Sequence, residues 1–232
     1  MEKIDIGIIG AMDSEVEGLV ARLENAKVEM RGAVKFYLGE LYGKRVAITK
    51  CGIGKVFAAA TAATMILSYS PGLIVNTGVG GALAAGLKTA DVVIADKLVQ
   101  HDMDTSALGD PKGLISGINK IYFEADTRAL NLVLEAAAKL DIHAVLGTVA
   151  SGDKFVATRE EKERIVADFG ASACEMEGGA IAQVAYVNST PFAVIRAISD
   201  SADGEATMDY PTFMPIAAKI STELTIALVK EY

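Results

Sequence analysis

Short apolar runs alternate along this chain with alanine-rich helical stretches, and that alternation limits the fold more than any other feature. IDIGIIG (4–10), GLIVNTG (72–78), DVVIADKLVQHD (91–102), IHAVLGTVAS (142–151) and PFAVIRAISD (191–200) read as strands. GLIVNTG is continuously apolar, as suits a central parallel strand. DSEVEGLVARLEN follows the first strand as a helix, with Asp13 or Ser14 as N-cap. VEMRG and AVKFYLGELYGKRVAITKCG read as hairpin strands around a Tyr42-Gly43-Lys44 turn. Helices are predicted over 54–69, 127–140, 159–168, 176–187 and 211–231. The order β-α-β-β-β-α-β-β-α-β-α-β-α predicts a three-layer α/β single domain over 1–232, with a central mixed β-sheet flanked by helices. Segment 103–120 has weak periodicity and many breakers, which marks it as a long functional loop.

Composition narrows the partners. The 232 residues are 51% hydrophobic, enough for one sizeable core. Thirty acidic residues against 22 basic ones give a net charge of −8, a field that repels nucleic acid and anionic membranes. A neutral or cationic small molecule remains a suitable partner. Cys51 and Cys174 form no CxxC pair and read as reduced thiols of a cytoplasmic protein. The chain opens straight into a strand, so no leader is expected. Its longest apolar stretches are interrupted well short of the roughly 18 residues of a membrane span.

Carboxylates sit where apolar strands end or helices begin: Glu15 after IGIIGAM, Glu175 and Glu177 in CEMEGGA, and Asp200 at the end of FAVIRAISD. Loops at strand ends of α/β proteins converge on ligands, and acids gathered there suit acid–base chemistry on a small polar molecule. Glu15 is equally readable as a first-turn acid favouring the helix dipole. Glu175 and Glu177 flank Met176, so one of the two is expected to point away from the other. Asp200 is harder to dismiss, because partial desolvation at a strand end favours its protonated form. His101 and His143 lack a metal spacing, and no metal is expected. Gly52-Ile53-Gly54-Lys55 lacks the leading glycine of a P-loop, and Val56 stands where Ser or Thr would hold magnesium. Gly78-Val79-Gly80 meets Leu83 at the third glycine position of a dinucleotide fingerprint. These glycines therefore read as tight turns or close backbone approaches, without a nucleotide cofactor.

The ordered set GIIGAMDSEVEGL, CGIGKVFAA, NTGVGGAL, SGDKF, CEMEGGAIAQVA and RAISDSAD resembles 5′-methylthioadenosine/S-adenosylhomocysteine nucleosidases, of the purine nucleoside phosphorylase superfamily. The resemblance spans essentially the whole chain and implies a nucleoside phosphorylase-like fold and hydrolysis of an N-ribosidic bond to release adenine. It implies that Asp200 protonates N7 and Glu15 activates water. Glu177, with Glu175 and Met176 beside it, then accepts from the ribose hydroxyls. Phe155 would stack on the purine, the Val156 backbone would read its edge, and Met12, Ile53 and Tyr210 would line a 5′-thioether pocket. Arg196 and Ser199 would orient the water or the acid. The resemblance also implies a homodimer with its interface beside the site.

Two departures stand out. Val79 occupies the position of a hydroxyl residue in one familiar form of the central loop, so holding the water falls to Glu15 and Arg196. Leu108 lies near a position where the family often presents an aromatic to the dimer mate. The rival readings are a phosphate-dependent phosphorylase and a non-catalytic nucleoside binder. Phosphate needs cationic donors, and AMDSEVEG offers Asp13, Glu15 and Glu17 with no cation.

Overall fold

A computed structural model describes residues 3–202 and 206–232, with side chains left undescribed at 206–209. The first strand, β1 (Ile6–Gly10), is buried throughout. Helix α1 (Asp13–Val20) follows, then β2 (Glu24–Arg31), β3 (Val34–Leu41) and β4 (Lys44–Lys50). Helix α2 (Lys55–Tyr69) leads into β5 (Leu73–Ala82) and β6 (Val92–Gln100). After the short β7 (Phe123–Glu124) come α3 (Thr127–Lys139), β8 (Ala144–Ser151) and α4 (Arg159–Phe169). The chain closes with β9 (Ala173–Glu175), α5 (Gly178–Val187), β10 (Phe192–Asp200) and α6 (Ala206–Glu231).

The mixed sheet is present, and part of it closes on itself. Strand β5 pairs parallel with β10, β10 antiparallel with β6, β6 parallel with β8, β8 parallel with β9, and β9 antiparallel with β5. That circuit removes free edges from the centre. On its other side β5 is linked through β1 and β4 to the β3–β2 hairpin. Strands β1, β5 and β10 are buried along their whole length, with helices packed against the sheet.

Several boundaries differ from the sequence reading for identifiable reasons. Asp13 and Ser14 lie inside α1; its N-cap is Met12, whose N–H donates to the Glu15 carboxylate at 3.0 Å. The stretch Glu24–Asn25 joins β2: Glu24 pairs with Glu40 of β3, and Asn25, at positive φ, opens the bulge that follows. Lys44 already belongs to β4, since Tyr42 and Gly43, both at positive φ, make the whole two-residue turn. Residues 159–187 hold two helices separated by β9, and α5 starts at Gly178 because the amides of 177 and 178 are spent on Glu175. Strand β5 continues to Ala82, and α6 includes Pro211 and Pro215. Within 103–120 the chain makes a 3-10 turn at Ser106–Leu108 and an Ile115–Lys120 bridge.

The segment Tyr210–Glu231 of α6, with mean hydropathy 1.3, has the length and composition to cross a membrane; the sequence reading missed this. Half of that window is buried in the fold, where α6 packs on β5, β10, α1 and α3. Such burial is how a core helix satisfies an apolar surface.

Candidate active site

The C-terminal ends of β1, β5, β8, β9 and β10 converge with the loop after β4 on one cavity of about 410 Å³. Its lining is mostly apolar, with a few converging carboxylates. Of the residues singled out from sequence, Met12, Glu15, Ile53, Val79, Phe155, Val156, Glu175, Met176, Glu177, Ser199, Asp200 and Tyr210 all line it. Arg196 does not. Gly80, read from sequence as a close backbone approach, lines it as well, and so do Ala11, Gly81, Lys154 and Cys174, which were not singled out as site residues.

Glu15 is 4% exposed although it lies in the first turn of a helix. The helix-dipole reading therefore fails to describe it: the side chain folds back onto the sheet. Its Oε2 accepts from the amides of Ala11 at 2.7 Å and Met12 at 3.0 Å, and its Oε1 accepts from Val79 at 3.0 Å. Burial pushes its proton affinity above the ordinary carboxylate range, against the pull of the Arg196 charge and the three amides. Gly78 leaves the room for this approach, since a Cβ there would come within 2.4 Å of Oε1. The glycines of GVGG thus admit carboxylates to the strand. A Cβ at Gly81 would lie 2.9 Å from Oδ1 of Asp200.

Glu175 and Glu177 both turn inward, contrary to the expectation that one points away. Glu175 Oε2 accepts from the amides of Glu177 at 2.9 Å and Gly178 at 2.7 Å, which bends the chain and brings both carboxylates to one side. Arg196 Nη2 donates to the same Oε2 at 2.5 Å, and Ser151 donates to Oε1. Burial raises the proton affinity of Glu175, but the Arg196 charge and the donated hydrogen bonds outweigh it, so the group is held below its usual range. Glu177 accepts from the Gly54 amide at 2.8 Å. Burial, followed by repulsion from Glu175, pushes Glu177 up to about 7.

Arg196 is 1% exposed and lies behind Glu175, where it also donates to the Asn76 side chain and to the Ile195 carbonyl at 3.0 Å. Expected from sequence to orient the water or the acid, Arg196 commits its Nη groups to the floor of the site instead, where a buried guanidinium needs a paired acid. Asp200 is 2% exposed; its Oδ2 accepts from Ser199 Oγ and its Oδ1 from the Ala202 amide, both at 2.9 Å. Cys174, a buried free thiol, has its proton affinity raised by burial and then by Asp200, so it is a poor nucleophile.

The mouth is aromatic and apolar. Phe155 and Tyr210 meet edge to face with centroids 5.6 Å apart, and the Tyr210 hydroxyl donates to Met12 Sδ at 3.4 Å. Ile53 is 56% exposed at the rim. Lys154 is the only cation lining the cavity among the described residues, and its ammonium is paired with Glu161.

Comparison with known proteins agrees with this geometry. The phosphorylase superfamily pattern matches residues 5–230. A 5′-methylthioadenosine/S-adenosylhomocysteine nucleosidase of Actinobacillus succinogenes is 39% identical over 227 residues, spanning 97% of this chain and 98% of that protein. The crystal structure of the Neisseria meningitidis nucleosidase of that name, in complex with methylthio-immucillin-A, matches with a TM-score of 0.95 at 36% identity, over 98% of this chain and 99% of that one. The native structure of a futalosine hydrolase of Helicobacter pylori strain 26695 matches with a TM-score of 0.94 at 35% identity, over 99% and 98% of the two chains. The chain belongs to the 5′-methylthioadenosine/S-adenosylhomocysteine nucleosidase family of the phosphorylase superfamily.

Proposed function

We propose that the protein hydrolyses the N-ribosidic bond of 5′-methylthioadenosine and S-adenosylhomocysteine, releasing adenine and the 5′-thioribose. The observation that carries this reading is the convergence of Glu15, Glu177 and Asp200 on one apolar cavity. Breaking the bond at C1′ builds positive charge on the ribose and negative charge on the base. Asp200 delivers a proton to N7, so that adenine leaves neutral. Glu15, its basicity raised by burial, takes a proton from the water that attacks C1′. Glu177 accepts from the ribose hydroxyls and lies near the developing cation. Phe155 stacks on the base and the Val156 backbone reads its edge, while Met12, Ile53 and Tyr210 surround the thioether.

A phosphorylase would have to admit a dianion among four carboxylates. The one cation of the described lining is already paired, which favours neutral water. Adenine release from 5′-methylthioadenosine should run at full rate in phosphate-free buffer. Release that requires phosphate, with a ribose 1-phosphate product, overturns the hydrolase reading. No release at all favours a binder. Because one similar structure is a futalosine hydrolase, the same assay should include futalosine-type nucleosides to set the 5′ preference.

The reading extends to a cytoplasmic homodimer active in methionine salvage. Leu108 is 84% exposed, and Val56 and Phe57 on the first turn of α2 are 79% and 62% exposed beside Ile53 at the rim. A second copy covering this face would bury them and close the 5′ side of the cavity. Light scattering at micromolar concentration should give twice the chain mass; a fully active monomer contradicts it.

A further inference from the structure

Outside the cavity, three loops are tied together through one carboxylate. The β6–β8 ladder runs to Gln100 and Ser151, and the His101 amide then donates to the Ser151 carbonyl at 2.9 Å. At the next step the backbones part and Asp102 replaces the missing rung. Its Oδ2 accepts from the Asp153 amide at 2.9 Å, and its Oδ1 accepts from Lys55 Nζ at 2.6 Å. Lys55 returns the tie, its own amide donating to Asp153 Oδ1 at 2.7 Å while its ammonium reaches Gln100 at 3.2 Å. Gly152 lets the loop dock, since a Cβ there would fall 2.4 Å from His101 Nε2. The loop held this way carries Phe155 and Val156 into the cavity. The helix turn at its other end carries the Gly54 amide that holds Glu177.

We propose that Asp102 is a positioning residue for the base: by clamping the Asp153 amide to Lys55, it fixes where Phe155 and Val156 meet the purine. The proposal rests on the nucleosidase reading. Asp102 touches neither the cavity nor the reacting atoms, so its effect passes through the 153–156 loop. The Lys55 and Asp102 side chains are 18% and 32% exposed, so the pair is partly shielded from solvent. Burial raises the proton affinity of Asp102, but the hydrogen bonds from Lys55 and the Asp153 amide, with the Lys55 charge, outweigh it and hold the carboxyl below its usual range, so the clamp stays charged near neutrality.

The test combines adenine calorimetry with steady-state kinetics on 5′-methylthioadenosine. Asp102→Ala should weaken adenine binding and raise KM by about tenfold, with kcat within about threefold of wild type, because ordering of the base is lost before the chemistry is. Asp102→Asn, which keeps an oxygen for the Asp153 amide but turns an N–H group towards Lys55, should lose less adenine affinity than Asp102→Ala. Asp102→Ala should add less than about twofold when placed on Phe155→Ala, since both changes act through one contact. Asp102→Ser, whose oxygen is too short to bridge both donors, takes the place of Asp102→Ala if that variant does not fold. Unchanged adenine affinity, a fall in kcat at constant KM, or full multiplication of the two single losses overturns the proposal. Wild-type protein that neither binds nor releases adenine would instead sink the functional reading itself.

Discussion

The backbone amide of Val79 donates to Oε1 of Glu15 at 3.0 Å, so the residue standing in place of a hydroxyl still serves the base through its main chain. Together with Ala11 and Met12 it gives the carboxylate three donors and a fixed orientation. An amide in that position has only one acceptor oxygen. Glu15→Gln must leave an N–H group facing one of the donors, at about 1–3 kcal/mol of stability. It should lose hydrolysis by about 10²–10⁴-fold, having no group to take the proton from water. Binding of a non-cleavable thioadenosine analogue should persist by calorimetry. Loss of binding together with the fold would make Glu15 structural.

Glu177 couples the site to pH. Its folded proton affinity is raised from 4.5 to about 7, chiefly by burial and then by Glu175. For a raised group the associated stability is fully present below the unfolded value and is lost as pH rises through the folded one. Wild type should therefore lose stability between about pH 4.5 and 7 relative to Glu177→Gln, which cannot ionise. The gap should change by on the order of 3 kcal/mol across that window. Denaturant unfolding of both proteins at pH 4.5, 6 and 8 reads it; a gap that stays constant with pH shows that Glu177 titrates normally. The same displacement predicts that kcat/KM falls below about pH 7, where Glu177 becomes protonated and accepts less well from the ribose.

How far the sequence exposes the site depends on whether a residue acts locally. Asp200 and the apolar strand before it are readable because one segment holds both the burial and the acid. Arg196 is visible too, as the one cation in FAVIRAISD, but its partners Glu175 and Asn76 come from other strands, so its place behind the site is not. Glu175 and Glu177 look opposed on paper, because a helix is read from Met176 onwards and residues two apart on a helix do not face each other. Here two amides bend onto Glu175 instead. Closure of the sheet leaves almost no local trace, since it relies on β9, three residues long, meeting β5 and β8. Gly80, Gly81 and Cys174 line the cavity through that closure; NTGVGGAL and CEMEGGAIAQVA contain them, but nothing within either motif shows that the two segments pair. The clamp of Asp102 on Lys55 is equally non-local.

The 5′ pocket predicts a substrate preference. Met12, Ile53 and Tyr210 present a thioether, an aliphatic chain and a phenol whose hydroxyl donates to Met12 Sδ, a weak acceptor. The 5′-hydroxyl of adenosine buried there without a partner costs about 1–3 kcal/mol. Methylthioadenosine should exceed adenosine by at least about tenfold in kcat/KM. Competition between the two nucleosides, in wild type and in Tyr210→Phe, checks this. Equal efficiency in wild type contradicts an apolar pocket. A preference appearing only in Tyr210→Phe shows that the phenol leaves Met12 to serve the hydroxyl.

Asp200 carries the central claim, that the base leaves only with a proton supplied by the enzyme. Asp200→Asn keeps an oxygen for the Ala202 amide or the Ser199 hydroxyl and should fold. It should release adenine from methylthioadenosine about 10²–10⁴-fold more slowly than wild type. The direct measurement compares that loss with the loss on a 5-methylthioribofuranoside bearing 4-nitrophenolate at C1, a leaving group that departs without protonation. If Asp200 is the acid, the nitrophenyl substrate should be cleaved by Asp200→Asn within about tenfold of the wild-type rate while adenine release collapses. Equal losses on both substrates, or an Asp200→Asn protein that keeps most of its adenine release, would contradict it.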